Sequence, residues 1–470
     1  VETAIAPAGN RVKLLILCAV LSAATNFPEG YCNSYPNTSY KSFQYMINGS
    51  YVGRGLEEGL SDEAYTWYWS FVLNIWFVGD LLGTFVTPYF TDNLGRKKSL
   101  LIANFCALFG AILSLSSVLF SIPELFIISR FTTSISSGMS FGGLILFLQE
   151  ATPTHERGIT SFVCESTFIM TTALGIGCGM DYIFGQNLPL LTGIAILPAL
   201  IAIAITLPLF ETPKFLLISR NDRDAALKSL EFYRGASAEN EQVLDDMLIE
   251  KEMGGPDDNI EVALIAGIIE VFTTRHLRMA FILGAAALQI TVGIWPIVYL
   301  STDFLAANFP PELAQLASFG FILADFVASL LGIAFVERYN RRSLLIGFGA
   351  ANTFSLCLYI LADLLIPLWQ PIRWGQIGAL VLFGITYGFA VGPIAFFITS
   401  ELVPQRNRSI VQSLVFCFST IMNFAISFVT LPCYTSFGVL SFLPLLVIPA
   451  VLCEIFLFFY LPETRAREVN

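Results

Sequence analysis

Asp92-Asn93-Leu94-Gly95-Arg96-Lys97 is answered, 245 residues further on, by Glu337-Arg338-Tyr339-Asn340-Arg341-Arg342. Nearly the same interval, 251 and 252 residues, separates the acids around that pair. Glu150 precedes Arg157 by seven residues, and Glu401 precedes Arg408 by seven. Glu211-Thr212-Pro213 closes the first half, and Pro462-Glu463-Thr464 closes the second. Charged punctuation that repeats at one interval in an otherwise apolar chain implies two parallel copies of one unit, with a solute site where they meet.

The apolar background sets the class. The 470 residues are 55% apolar and only 13% charged, a composition that no soluble domain of this length can bury. Charge-free runs such as Ser99–Pro123, Tyr182–Phe210 and Met279–Thr302 are long enough to cross a hydrocarbon core of about 30 Å. Twelve spans are predicted, at roughly 12–34, 66–91, 97–120, 125–149, 158–183, 187–210, 279–303, 313–336, 343–366, 374–403, 409–431 and 438–461. The first carries no small-residue cleavage site and reads as a span rather than a signal peptide.

Orientation follows from the basic residues. With both termini and the even-to-odd loops in the cytosol, 21 of the 25 Lys and Arg lie on that side, the exceptions being Lys41, Arg54, Arg130 and Arg373. The segment after the first span then faces outside, and its sequons make Asn37 and Asn48 expected glycosylation sites. The net charge of −11 says little about partners, because charge acts by side of the membrane.

Several chemistries are excluded. The nine cysteines are scattered without a C-x-x-C pair and read as small packing residues. The only histidines, His155 and His276, lie at helix ends, which leaves no transition-metal cluster and no His-based triad. No glycine-rich loop leads into Lys-Ser or Lys-Thr, so ATP is not expected to drive the protein. No enzyme activity, cofactor, metal or nucleic acid partner is expected, and the chain is expected to act as a monomer. Residues 1–210 read as one six-helix bundle and 276–470 as the other. Between them, 211–275 holds charged, helix-favouring stretches at Asp222–Arg234 and Ala238–Glu252, predicted to form short cytosolic helices.

These residues together resemble the sugar-porter branch of the major facilitator superfamily, which includes the facilitative glucose transporters. The resemblance is carried by Asp92-x-x-Gly95-Arg96-Lys97, Arg130, Glu150 with Arg157-Gly158, Glu211-Thr-Pro-Lys-Phe-Leu-Leu217, Glu337-Arg338-x-x-Arg341-Arg342, Glu401 with Arg408, and Leu461-Pro-Glu-Thr-Arg465. It covers essentially the whole chain. It implies an all-α membrane protein of two six-helix bundles that works by alternating access. It also implies a gating role for Asp92, Arg96, Glu150 and Arg157 in one half, and for Glu337, Arg341, Glu401 and Arg408 in the other. Asn340 stands where the family has a second glycine, so that turn is expected to differ from the one at Gly95.

At the implied solute site the residue types change. Gln289 keeps a family glutamine, and Asn423 matches a family asparagine. Trp295 stands for a sugar-contacting asparagine, Phe396 for a tryptophan and Gly388 for a sugar-contacting glutamate. Glu165 falls on a sugar-binding glutamine, Asp325 on a sugar-binding asparagine and Glu29 on a phenylalanine. Carboxylates inside a bundle are costly and face a cavity or a partner. Glu29, Asp80, Glu165, Asp325 and Glu454 interrupt five spans, and Arg130 near a span edge is the one basic residue available to them. A proton, a cationic solute or hydroxyl and backbone donors must compensate the rest. Asp80 reads equally well as a hydrogen-bonding residue within the first bundle, and Glu454 as structural or snorkelling.

The sequence therefore predicts a secondary transporter of one small polar solute, in the plasma membrane or an endomembrane. The acidic and aromatic site favours an organic cation or zwitterion, or proton coupling, with cation–π contact at Trp295. A facilitative hexose or polyol carrier is the alternative, and a non-transporting membrane sensor a third reading.

Overall fold

The computed structural model describes residues 8–55, 59–152, 157–237, 240–253, 260–336, 339–403 and 408–463. All regular structure among them is helical. The first part comprises α1 (Ala8–Thr38), α2 (Tyr40–Gly53), α3 (Asp62–Leu94), α4 (Arg96–Leu119), α5 (Pro123–Ala151), α6 (Arg157–Cys178), α7 (Leu188–Gly193) and α8 (Ile196–Thr206). The middle comprises α9 (Pro213–Ile218), α10 (Arg223–Arg234), α11 (Asn240–Met253) and α12 (Ile260–Thr273). The last part runs through α13 (Arg275–Thr291), α14 (Ile294–Ala306), α15 (Pro311–Val336), α16 (Arg341–Leu365), α17 (Trp374–Thr386), α18 (Gly392–Leu402), α19 (Arg408–Phe437) and α20 (Ile448–Tyr460). A π-helical stretch, Tyr387–Val391, joins α17 to α18.

Among the described residues, eleven helices are long and apolar enough to cross a membrane. The fifth expected span has a shorter apolar stretch at Ser166–Cys178. The order is that of the twelve-span, all-α architecture. Side-chain hydroxyls inside these helices return to the backbone one turn earlier, as Thr206 does to the Ala202 carbonyl at 2.6 Å. The helices approach one another through small residues. A Cβ on Gly138 would collide with the Asp80 carbonyl, so α5 and α3 touch backbone to backbone there.

The chain divides into two compact units. Unit 1 comprises Val1–Asn33, Val78–Gly175 and Asn187–Pro256; unit 2 comprises Ser34–Phe77, Ile176–Gln186 and Asp257–Asn470. Unit 1 packs around Leu21, Leu100, Leu144, Phe147 and Leu209, and unit 2 around Leu288, Val391, Ile394, Ile398, Val411 and Leu457. The units interleave along the chain.

The middle segment forms helices close to those expected. The Asp222 side chain accepts from the Ala225 N–H at 2.9 Å and starts α10. α9, α10 and α11 share a small core of Leu217, Ala226, Leu230, Leu244 and Met247. α10 is tied to the rest of unit 1 by Ser229 donating to the Glu211 carbonyl, Tyr233 to the Phe210 carbonyl and Arg234 to the Thr152 carbonyl, at 2.5, 2.6 and 3.2 Å. Arg223 also bridges Glu241 and Asp245 on α11, but all three are exposed, so these pairs contribute little.

The turns before α4 and α16 differ as the residue types require. Gly95 lies at φ +105°, a region that favours glycine, whereas Asn340 takes an ordinary φ of −65°. A side chain on Gly95 would also run into the Glu211 carboxylate.

One expectation is corrected. Asn37 is not available to carry a glycan: it is 2% exposed, because α1 runs on to Thr38 as one helix. Its Nδ2 donates to the Val298 carbonyl at 2.8 Å and to Ser301 Oγ at 2.9 Å, and its Oδ1 accepts from the Thr302 N–H at 3.0 Å. Asn48 is only half-buried on α2. In a glycosylating host, Asn48→Gln should therefore abolish the mobility shift on glycosidase digestion, while Asn37→Gln leaves it. Asn37→Ala should instead lower stability by about 1–3 kcal/mol, the cost of leaving buried polar groups unpaired. Loss of the glycan in Asn37→Gln would contradict this assignment.

Candidate functional site

The repeated charges assemble into two stations, one in each unit. In unit 1, Gly95 turns the chain so that Arg96 opens α4 facing the end of α5. Its Nη2 and Nε reach the same Glu150 oxygen at 3.0 and 3.2 Å, and Nη1 donates to the Thr91 carbonyl at 3.1 Å. The second Glu150 oxygen accepts from Thr212 Oγ1 at 2.6 Å, and the Phe215 ring lies 5.2 Å from the guanidinium. The Arg96 and Glu150 side chains are 13% and 8% exposed, whereas Asp92, 3.5 Å from Arg96, is 51% exposed. Glu150 is thus held by a charge, a hydroxyl and partial desolvation, and Asp92 by little more than proximity.

In unit 2, Arg341 at the start of α16 pairs with Glu401 near the end of α18. The second repeat residue matches too. Lys97 donates its backbone N–H to Glu211 at 2.9 Å and its Nζ to the Leu207 carbonyl at 2.8 Å. Arg342 donates its N–H to Glu463 at 3.3 Å and an Nη2 hydrogen to the Phe458 carbonyl at 2.6 Å. Arg341 adds its own N–H to Glu463 at 3.1 Å. A carboxylate over the first amides of a helix satisfies orphan donors and opposes the positive end of its dipole. Sequence reading saw Glu211 and Glu463 only as markers of the two ends. Their recurrence at one interval was the available signal of a shared task. Arg157 and Arg408 begin α6 and α19, but their side chains, like all of Glu337, lie outside the described residues.

The remaining site residues divide between the units. Glu29, on α1, belongs to unit 1 and is half-buried; Glu165 lies on α6 of the same unit, its side chain outside the described set. Arg130 lies seven residues into α5. It is 3% exposed and donates to the Cys32 carbonyl at 3.0 Å and Asn33 Oδ1 at 3.3 Å. Cys32 and Asn33 lie one turn beyond Glu29 on α1.

Gln289, Trp295, Asp325, Phe396 and Asn423 all belong to unit 2. Trp295 joins Phe77 and Tyr299 in a ring triad with centroids 5.6 to 6.1 Å apart. Phe396 packs its ring 5.9 Å from Phe416. Asn423 is 8% exposed, and its Oδ1 has no protein partner among the described residues. Asp325, on α15, is 3% exposed, and its carboxylate lies against the bare Cα of Gly388. Glu454 is not a snorkelling group: it accepts from Thr353 Oγ1 at 2.6 Å and fastens α20 to α16.

Sequence reasoning missed a neutral hub in unit 2. Besides the Asn37 contacts, Gln315 Nε2 donates to the Thr38 carbonyl at 2.9 Å, and Gln315 Oε1 accepts from the Asp181 N–H at 3.0 Å. Thr302 Oγ1 and Ser318 Oγ lie 3.0 Å apart. The hub joins the Asn37 end of α1 to α14 and α15. No charge marks it, and only the lack of a break between the first apolar run and Thr38 hinted that Asn37 was inside.

Among known proteins, the family described as "Sugar (and other) transporter" matches residues 15–470. The chain is 27% identical over 473 residues to "Solute carrier family 2, facilitated glucose transporter member 7" from Homo sapiens, covering 98% of this chain and 90% of that protein. Member 5 from Homo sapiens is 28% identical over 484 residues, covering 98% and 92%. Among solved structures, the xylose transporter XylE from E. coli in a partially occluded inward open conformation has a TM-score of 0.74 at 15% identity, covering 97% of this chain and all 100% of that one. A D-xylose-proton symporter has a TM-score of 0.71 at 15% identity. At that identity the structures speak to fold alone.

The burial difference within the unit 1 station separates its two acids by experiment. Glu150→Gln should cost about 3–5 kcal/mol, because it leaves Arg96 partly desolvated without its counter-charge. Asp92→Asn should cost less than about 1 kcal/mol. Thermal unfolding in detergent measures both, and equal losses would sink this ranking.

Proposed function

The chain belongs to the sugar (and other) transporter family, the sugar-porter branch of the major facilitator superfamily, and from that premise we propose that it is a proton-coupled carrier of a small polyhydroxy solute. It is an integral, multi-pass membrane transporter and not an enzyme. Alternating access would bring the solute to Gln289, Trp295, Asp325, Phe396 and Asn423 in unit 2 and to Glu29 and Glu165 in unit 1. The plasma membrane, with both termini cytosolic, is the proposed setting.

The observation that carries this is Asp325, a carboxylate only 3% exposed within a membrane-spanning helix. Such a group needs a proton, a cation or hydrogen-bond donors to be tolerated. A sugar or polyol supplies donors, and a proton neutralises what they leave. Two kinds of relative support the choice: one is called a facilitated glucose transporter, the other a D-xylose-proton symporter. The rings of Phe77, Trp295 and Tyr299 favour a second reading, an organic cation or zwitterion held by cation–π contact.

The charge stations would act as the cytosolic gate, each pair biasing the equilibrium between two states by a few kcal/mol. Glu401→Gln should then raise the labelling of a cysteine placed in the cavity by a cytosolic thiol reagent. Unchanged labelling in a folded variant would leave these charges with a packing role only.

Uptake into proteoliposomes tests the substrate and the coupling. Labelled sugars and polyols should enter faster under an inward proton gradient, and a protonophore should remove the gain. Asp325→Asn should lose coupling and most uptake, because it removes the one buried acid of that helix that a proton could neutralise. If the acid were merely an acceptor for a sugar hydroxyl, the amide would cost about 1–2 kcal/mol, near tenfold in affinity. Wild-type uptake insensitive to pH, with Asp325→Asn still active, would make the protein a passive hexose or polyol carrier. Uptake of organic cations to the exclusion of sugars would establish the second reading.

A further inference from the structure

The arginines that open α4 and α16 each meet a carboxylate, Arg96 at Glu150 and Arg341 at Glu401. Arg275 and Arg278 open α13, yet among the described residues neither has a carboxylate within ion-pair distance, Glu270 of α12 included. Both are exposed, and Arg278 donates from Nη1 to the Phe272 carbonyl at 3.3 Å. With Ile282 they stand at i, i+3 and i+7, so two cations and an exposed apolar residue share one face of α13. The change from charge to hydrocarbon takes four residues, about 6 Å of helix rise, and falls where the span begins. Rings extend the apolar surface. Phe272 of α12 meets Phe281 edge-on at 5.5 Å, and Phe281 meets Phe418 of α19 at 6.2 Å. Phe272 and Phe418 are 48% and 39% exposed, and Ile269 is exposed one turn before Phe272. α12 has 14 residues, a rise of about 21 Å, too short for a hydrocarbon core of about 30 Å. A short apolar helix that exposes Ile269 and Phe272 beside the start of a span belongs in the headgroup layer.

We propose that this surface binds one anionic phospholipid, its phosphate held by Arg275 and Arg278 and an acyl chain lying on the rings of Phe272, Phe281 and Phe418. Charge complementarity selects the occupant. Two guanidiniums without a counter-charge need an anion, and their planar donor pairs match phosphate oxygens. The exposed rings need hydrocarbon, which neither a free anion nor an acidic protein segment supplies. A phospholipid brings both, in the order in which α13 presents its residues. The lipid does for the arginines of α13 what Glu150 and Glu401 do for those of α4 and α16, as a counter-charge supplied by the bilayer. It also fastens α12 to α13, because Arg278 is already bonded to the end of α12. The site is independent of the solute that the protein carries.

Thermal unfolding of the full chain in detergent, titrated with phosphatidylglycerol, tests this. The midpoint should rise and saturate, and phosphatidylcholine with the same acyl chains should raise it far less. Equal rises with the two lipids would mean that the headgroup charge is not read. Arg275→Gln/Arg278→Gln should keep the lipid-free midpoint, since neither arginine is ion-paired. It should weaken phosphatidylglycerol binding about thirtyfold, about 1 kcal/mol for each arginine. Lys98→Gln/Lys228→Gln removes two other exposed cations and should leave the affinity unchanged. A loss equal to that of the arginine pair would reduce the effect to net charge. Inorganic phosphate should not reproduce the rise; a matching rise would make this an anion site with no lipid. Phe272→Ala serves as a second variant should the arginine pair fold poorly. It should weaken phosphatidylglycerol binding severalfold with both arginines in place, and wild-type affinity would remove the acyl chain from the rings. Undiminished binding in Arg275→Gln/Arg278→Gln would overturn the proposal outright.

Discussion

A hydrocarbon interior offers no hydrogen-bond partner, so every polar group that enters it must find one within the protein. That constraint shapes this chain from its helices to its single-residue choices. Helices satisfy their own peptides, and their serines and threonines fold back one turn, as in Thr430 to the Ile426 carbonyl at 2.7 Å. Other hydroxyls reach across to a neighbouring helix, as Ser136 of α5 does to the Ala103 carbonyl of α4 at 2.7 Å and Thr353 of α16 to Glu454 of α20 at 2.6 Å. Arg130 is the hardest case. It is almost fully buried, and α1 meets it with a carbonyl and an amide oxygen, both neutral acceptors. A helix that surrenders such groups late in its length is committed to one rotational setting, which also places Glu29 one turn away.

The charged ends follow the same accounting with stronger partners. Each station does two jobs through two acids. One acid, Glu150 or Glu401, answers an arginine. The other, Glu211 or Glu463, answers the amides at the start of α4 or α16. The division explains why the repeat contains more acids than ion pairing requires. It also explains an asymmetry. The unit 1 station is roofed by α9, through Thr212 and Phe215, and its arginine is 13% exposed; the Arg341 side chain is 24% exposed. Desolvation strengthens the first pair and makes its disruption costlier. The middle segment is thus part of the unit 1 station as well as a stretch of chain between halves, and its own small core keeps α9 in position.

Most of the fold was legible because membrane burial writes itself into composition. Charge-free runs fixed the spans, and the paired motifs fixed the repeat, since both are enforced locally. Gly95 and Asn340 even forecast different turns, and the two turns differ. Burial of neutral polar residues was not legible. Asn37 carries a surface motif yet lies inside, because a sequon constrains three residues and says nothing of where the helix ends. The burial of Arg130 was not legible either, because the acceptors that permit it come from α1, nearly a hundred residues away. Gly388 was legible as a lost glutamate but not as a point of close approach, since Asp325, the residue against it, sits 63 positions earlier on another helix.

The two kinds of polar cluster rest on different chemistry. The stations depend on ionised groups that pair with one another or with helix-end amides. The Asn37 hub is built from amides, hydroxyls and backbone groups, none of which titrates near neutrality. Each of its hydrogen bonds contributes about 0.5–1.5 kcal/mol, and several together rival one partly buried ion pair.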